Sequence, residues 1–521
     1  MTRGPAVPLR AAAPGAAVLA LAIVFVIAWA TQPGAARVAA PGSRNVAVTS
    51  ITRSCPPAAP GATAPQVSMI ALPAASSVSA SFGPAAAQPA AAPAGQATFS
   101  GILAAPAAGS APAAGKKSPA GKKPSGGKTS SAPIIKPVTV TAPGTLTTVA
   151  APGGGGAAVA ATGQMAEGFE AEQTDASGTG VVSCTHPGSD MWFVGTGEAN
   201  GASQVWLYLM NTGNIAASAD VTILTDTGQQ NALASAITVN PNQFVPENIT
   251  PYVRSSQAVA LHVQAGTGQV AAAVWEGGQG GGAWLPQASA PATSLVIPGL
   301  TVASSAAKLF VVVPGASDAK VNVVAYTPAG ASPQFPGAPV DATAGAATPL
   351  VLNSLGASAA GLKLTSNVPI VAGVLVPGAG IGSFTTAVRP VTEQGVVAAS
   401  PAGKGVTVGL LLTAPSAAAR ASISVISADG TVTTAAGDQN VTVGTGHTLA
   451  VVIPRPSGAG QQPFAIVVTP RPGSGPLYAA RVVTSGAGGL SAPLSSLLPV
   501  SSAMTSIALP AARNSYTAVL P

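Results

Sequence analysis

Three times along the chain, one largely apolar run is followed by a second that ends in glycine, at nearly constant spacing. The first unit has Val205-Trp-Leu-Tyr-Leu-Met-Asn-Thr-Gly, then Ala219-Asp-Val-Thr-Ile-Leu-Thr-Asp-Thr-Gly228. The second has Leu309-Phe-Val-Val-Val-Pro-Gly, then Ala319-Lys-Val-Asn-Val-Val-Ala-Tyr-Thr-Pro-Ala-Gly330. The third has Val406-Thr-Val-Gly-Leu-Leu-Leu-Thr-Ala-Pro, then Ala421-Ser-Ile-Ser-Val-Ile-Ser-Ala-Asp-Gly430. The closing glycines lie 102 and 100 residues apart. Each unit later carries a strand-like pair before another glycine, at Gly277, Gly378 and Gly486, spaced by 101 and 108 residues. A period near 100 residues built from short strands suits one small β-sandwich and is too long for most solenoids. The expected fold is therefore all-β, with tandem immunoglobulin-like β-sandwich domains. A propeller- or prism-like β-repeat is the alternative. Val259, Leu261 and Val263 alternate with His262, as half-buried strands do.

Composition agrees with strands and turns. Charged residues are 7% of the chain, while Gly (61) and Pro (49) are abundant and the apolar content is mostly Ala, Val and Leu. The charge is unevenly placed. Residues 1–166 hold eleven Lys or Arg and no acid, and the rest holds eleven basic and fifteen acidic residues. A basic front ahead of a mildly acidic body is compatible with nucleic acid, anionic lipid or an anionic polymer, and pI alone does not choose.

The N-terminus supplies a location. Arg3 and Arg10 precede an apolar run, Ala16 to Ala30, and no charge occurs from Ala11 to Ala36. That length suits one membrane-spanning helix. A cleaved secretory signal also fits, with Ala28-Trp29-Ala30 as a small-x-small site. The chain is expected at the cell membrane, single-pass with its bulk extracytoplasmic, or secreted after cleavage. The flanking arginines are nearly balanced, so the orientation rests on the signal-like front and on cysteine usage. Cys55 and Cys184 are the only cysteines, and an even pair in an exported chain predicts a disulfide.

The expected organisation is an anchor or signal at 1–31, a linker at 32–45, an irregular β-domain at 46–187, sandwich repeats at 188–299, 300–394 and 395–498, and a tail at 499–521. Within the irregular domain, residues 104–132 form a Lys- and Pro-rich insertion with too little apolar surface to offset its ordering entropy.

The stretch Cys184-Thr-His-Pro-Gly-Ser-Asp-Met-Trp-Phe-Val-Gly, then Leu-Tyr-Leu-Met-Asn-Thr-Gly, resembles an actinobacterial family known as domain of unknown function 5719. Ala273-Val-Trp-Glu, Trp284-Leu-Pro-Gln-Ala-Ser-Ala-Pro-Ala-Thr and Val296-Ile-Pro-Gly carry the same likeness. The resemblance covers residues 46–521 and is strongest at 184–300. It implies an exported, usually membrane-anchored β-repeat protein. It brings no activity and no catalytic residues, and the Lys-rich insertion departs from it.

No catalytic constellation is legible. His186, His262 and His447 lie far apart, and no His-x-x-x-His, Cys-x-x-Cys or Gly-x-Ser-x-Gly pattern occurs. Gly266-Thr-Gly-Gln-Val-Ala271 matches a loose dinucleotide fingerprint, but it joins two strand-like runs and predicts a hairpin turn. Gly121–Thr129 has the wrong spacing for a phosphate loop. Glu167, Glu170, Glu172 and Asp175 are the one acidic cluster, expected as a solvated loop. No catalytic residue, metal ligand or cofactor is expected. The candidates for ligand contact are Trp192 and Trp284, as a stacking platform, and Lys116, Lys117, Lys122, Lys123 and Lys128, as a mobile polycation. Buried tryptophans would instead be core. Two readings follow: a non-enzymatic structural or interaction protein of the cell envelope, or a binding module for cell-wall polysaccharide or an anionic envelope polymer. The expected partners are the membrane, through one N-terminal helix, and wall polymer or other envelope proteins. Nucleic acid is not among them.

Overall fold

A computed structural model describes residues 44–73, 93–105, 137–175, 180–230, 235–301, 307–352, 359–378, 380–434, 436–457 and 460–509. The chain divides into a small unit, residues 1–46 with 508–521, and a large one, residues 47–507. The N-terminal apolar run lies outside the described residues. Among the described residues no helix is long and apolar enough to cross a membrane.

The large unit is all-β, and one strand pattern recurs in it. In the central example a leading sheet runs in the order Asp190–Thr196, Ala258–Thr267, Ala217–Thr225, Gly228–Gln230, with Ile237–Val239 also on Ala217–Thr225. A trailing sheet runs Gln243–Asn248, Gln204–Asn211, Ala271–Gly278, Gly281–Leu285. The next sandwich repeats this with first strand Ala292–Leu300 and last strand Ser383–Thr386, and the one after with Gln394–Ser400 and Leu494–Val500. Their first strands begin 102 residues apart, at 190, 292 and 394.

The front region has the same wiring. Its leading sheet is Ser50–Cys55, Gly156–Thr162, Ala97–Ala104, Val138–Val140. Its trailing sheet is Thr147–Ala150, Gln66–Ile70, Glu170–Thr174, Val181–Ser183. Residues 46–187, expected to be irregular, therefore contain a first sandwich topologically equivalent to the other three. The Lys-rich insertion falls between Ala97–Ala104 and Val138–Val140, where the other sandwiches have a short hairpin.

The four sandwiches close into a ring. The leading sheet of each packs on the trailing sheet of the next. Ile102 and Ala158 of the first meet Tyr208, Met210, Phe244 and Trp275 of the second. The second meets the third through Phe310, Val312 and Val371. The third meets the fourth through Leu411, Ala480 and Val482. The fourth returns to the first, with Val396, Ala398 and Val467 on Ile70, Leu72 and Leu146. One parallel pairing, Gln243 with Leu103 and Phe244 with Ala104, joins the first and second sandwiches into one eight-stranded sheet.

Ring closure explains the composition. Inner strands are covered on both faces, so they read as continuous apolar runs, not as alternations. Val259, Ala260 and Leu261 are all fully buried, as are Leu309, Phe310 and Val311. Strict alternation survives only in part, as over Ala319–Val323.

Two local expectations are corrected. Gly266–Ala271 is not a hairpin turn, because Ala258–Thr267 and Ala271–Gly278 belong to opposite sheets and the segment arches across the sandwich. In the third sandwich the corresponding pair is one continuous strand, Ala360–Val376. Its first half pairs in the leading sheet and its second half in the trailing sheet. The register slips beside Pro369, which has no N–H to give a ladder.

Candidate functional site

The last strands of the four sandwiches, Val181–Ser183, Gly281–Leu285, Ser383–Thr386 and Leu494–Val500, meet around the middle of the ring. There they enclose an open cavity of about 320 Å³. All four sandwiches contribute to its wall. The first gives Thr174, Asp175, Gly180 and Val181, with the loop at 59–62. The second gives Trp275 and Gly280–Trp284, the third Gly380 and Ser383, and the fourth Ser495 to Leu497. Among the described lining residues none is Lys, Arg or His, and the only carboxylate is Asp175. Asp175 accepts the backbone N–H of Gly180 at 3.2 Å, which shapes the turn. Gln173 and Ser496 also line the wall, and each has a buried oxygen without a hydrogen-bond partner among the described residues.

One side of the cavity is built on tryptophan. Trp206, Trp275 and Trp284 are cross-strand neighbours on three adjacent strands. The indole of Trp275 lies over the Gly277–Gly282 pair, where a Cβ on either glycine would come within 2.2 Å of the ring. Glycine is required at both positions so that the ring can lie flat. Trp284 is 8% exposed and Trp192 4%, so they are not the exposed stacking platform that the sequence admits. Trp192 is core of the second sandwich and stacks on His262 at 3.8 Å between ring centroids. Trp284 packs in the interface with the first sandwich and shows only part of its surface to the cavity. Lys116, Lys117, Lys122, Lys123 and Lys128 lie outside the described residues.

The acidic cluster is not a solvated loop. Glu170–Thr174 is an inner strand, and Glu170 and Glu172 are both buried on it. Glu170 pairs with Arg53. Glu172 accepts the backbone N–H groups of Ala398 and Ala399 at 3.0 Å each, across the seam between first and fourth sandwiches. Arg481, fully buried, donates to the carbonyl of Ala399 and lies 3.8 Å from Glu172. Burial pushes the Glu170 carboxyl up to about 7 against the pull of Arg53. Burial also raises Glu172, with Arg481 and the two amides opposing it. Glu170 is held by a guanidinium, and Glu172 by two backbone amides with a guanidinium nearby, as in structural staples. The paired-carboxylate geometry of a hydrolase needs both groups in an open cleft.

A third buried carboxylate has no cationic partner among the described residues. Glu276 accepts the backbone N–H and the hydroxyl of Thr196 on Oε2, at 3.1 and 3.0 Å, while Oε1 has no partner. Burial pushes it up to about 8. A Cβ at Gly195 would sit 2.1 Å from Oε1, so glycine makes its space. The sequence offered no reason to single out this residue, which stands alone in an apolar strand.

Cys55 and Cys184 are bonded, with Cα atoms 4.3 Å apart, in the core of the first sandwich. The bond ties the first strand of that sandwich to the residue just after its last strand, so it staples the two sheets of one sandwich. Among the described residues no group of three His, Cys, Asp or Glu is placed to hold a metal ion.

The family of unknown function DUF5719 matches residues 138–454, which is more than half of the chain. The chain belongs to this family. The DUF5719 match begins at the strand Val138–Val140 of the first sandwich and stops just after His447–Val452 of the fourth. It therefore spans all four members of the ring and cuts through two of them. Neither a curated protein nor a solved structure matches the chain.

Proposed function

We propose that this DUF5719 protein is a non-enzymatic component of the cell envelope, held to the membrane by its N-terminal apolar run, with the ring of sandwiches extracytoplasmic as a rigid structural or interaction body. The observation that carries the reading is the buried Cys55–Cys184 bond, because such bonds persist in oxidising compartments. The apolar run after Arg3 and Arg10 supports the same compartment. The three buried carboxylates are engaged as staples or hydrogen-bonded to Thr196, which supports a structural role for them.

Fractionation of the native host tests the location. Full-length chain should sediment with membranes, and protease added to intact cells stripped of wall should degrade it. A protease-resistant chain in the soluble cytoplasmic fraction overturns the proposal. A chain recovered from the medium, shortened after Ala30, selects the secreted form.

A second reading, a binding module for cell-wall polysaccharide or an anionic envelope polymer, is favoured by the cavity to which all four sandwiches contribute. The Lys-rich insertion would serve the anionic form of it. Replacing Lys116, Lys117, Lys122, Lys123 and Lys128 with Gln should weaken binding to anionic vesicles at low salt if the insertion adheres.

A further inference from the structure

We propose that the cavity at the centre of the ring binds a neutral, hydroxyl-rich ligand the size of one or two sugar rings, such as the end of a polysaccharide chain. The proposal rests on the binding-module reading and narrows it to one chemistry. Charge decides the class. With one carboxylate and no cationic side chain among the described lining residues, the wall offers nothing to neutralise phosphate or uronate.

Hydrogen-bonding capacity decides the rest. Thr174, Ser383, Ser495 and Ser496 are hydroxyl residues of the lining, the Ser495 hydroxyl sharing a hydrogen bond with Ser485 at 2.7 Å, and a hydroxyl both donates and accepts, as sugar hydroxyls do. The glycines of the second and third sandwiches leave backbone groups unscreened by side chains. The buried oxygens of Gln173 and Ser496 lack partners among the described residues, and an unpaired buried polar oxygen is costly. A ligand hydroxyl reached by a small shift of either side chain would relieve that cost. Trp275 and Trp284, largely buried, add the small part of their surface that reaches the wall as an apolar component beside the hydroxyls. A wall shared by all four sandwiches also exists only when the ring is closed, so binding would report on the complete fold.

The test uses full-length chain in a detergent that contains no sugar. Glucose, galactose, mannose, arabinose and their disaccharides are titrated, with tryptophan emission and saturation-transfer NMR as readouts. At least one saccharide should saturate with a millimolar Kd that does not change with salt. Ala62→Trp, which fills the cavity from a surface loop, should weaken it by at least about tenfold. Ser496→Ala should weaken it by a smaller factor. Both variants should melt with the parent. The proposal is overturned if no saccharide saturates, if Ala62→Trp melts and binds like the parent, or if inositol hexakisphosphate competes with the sugar. A chain that fractionates with membranes but binds no sugar loses this inference alone and keeps its proposed location.

Discussion

Glu276 gives the sharpest test of the interior. Its carboxyl is fully buried and touches no cation among the described residues, and burial pushes it up to about 8, against 4.5 for the ordinary group. Because the folded value lies above the unfolded one, the contribution to stability is complete below about pH 4.5 and is lost as pH rises through about 8. Moving a carboxyl over that range corresponds to about 5 kcal/mol. Glu276→Gln keeps the shape and one acceptor for Thr196 but cannot ionise. At pH 5, where the parent carboxyl is protonated, the two proteins should agree to within about 1 kcal/mol. At pH 9 the variant should be the more stable by up to about 5 kcal/mol. For a unit this large that is a rise in Tm of about 5 °C. Paired thermal melts at half-unit steps of pH measure the difference directly, and other buried carboxylates cancel in it. Stability curves that stay parallel across the whole range would refute the reasoning.

The remaining expectations concern the seams. Mass spectrometry of unreduced, denatured protein should find no labelled thiol, and the double variant Cys55→Ala, Cys184→Ala should lose about 5 kcal/mol in denaturant unfolding, as expected for a loop closed across 129 residues. Glu172→Ala strips two buried N–H groups and Arg481 of their partner, so it should cost about 3–5 kcal/mol, and an unchanged unfolding midpoint would contradict the staple. Trp275→Ala should cost about 3–5 kcal/mol by opening a void between the first and second sandwiches, measured by the same unfolding titration.

Much of the fold was legible because the later sandwiches are compact. Their strands are joined by short turns closed by glycines such as Gly228 and Gly330, so a period near 100 residues survives in the sequence. The first sandwich was hidden by its connections. Long segments follow Gln66–Ile70 and Ala97–Ala104, and they stretch 50–183 well past the common period. Ring closure was equally hidden, since nothing in a strand says which second face it will cover. The clue was present in unalternating runs such as Leu410-Leu-Leu412, which suit strands buried on both sides. The acidic cluster misled for a related reason. Glu170 and Glu172 fall at alternate positions of a strand, but flanking Gly and Ser suggested a loop, and their partners Arg53 and Arg481 lie more than a hundred residues away. The cavity draws on all four sandwiches, so no local motif could announce it.

The seam between first and fourth sandwiches is the one junction of the ring that no short linker spans. A ribosome delivers Leu146 about 250 residues before Val396. At ordinary elongation rates the apolar patch of Ile70, Leu72 and Leu146 waits roughly 10–50 s for its cover. During that wait Glu172 lacks the backbone amides of Ala398 and Ala399 that hold it in the closed ring. Those two hydrogen bonds form only once the fourth sandwich has arrived, so the seam is the last part of the ring that can close.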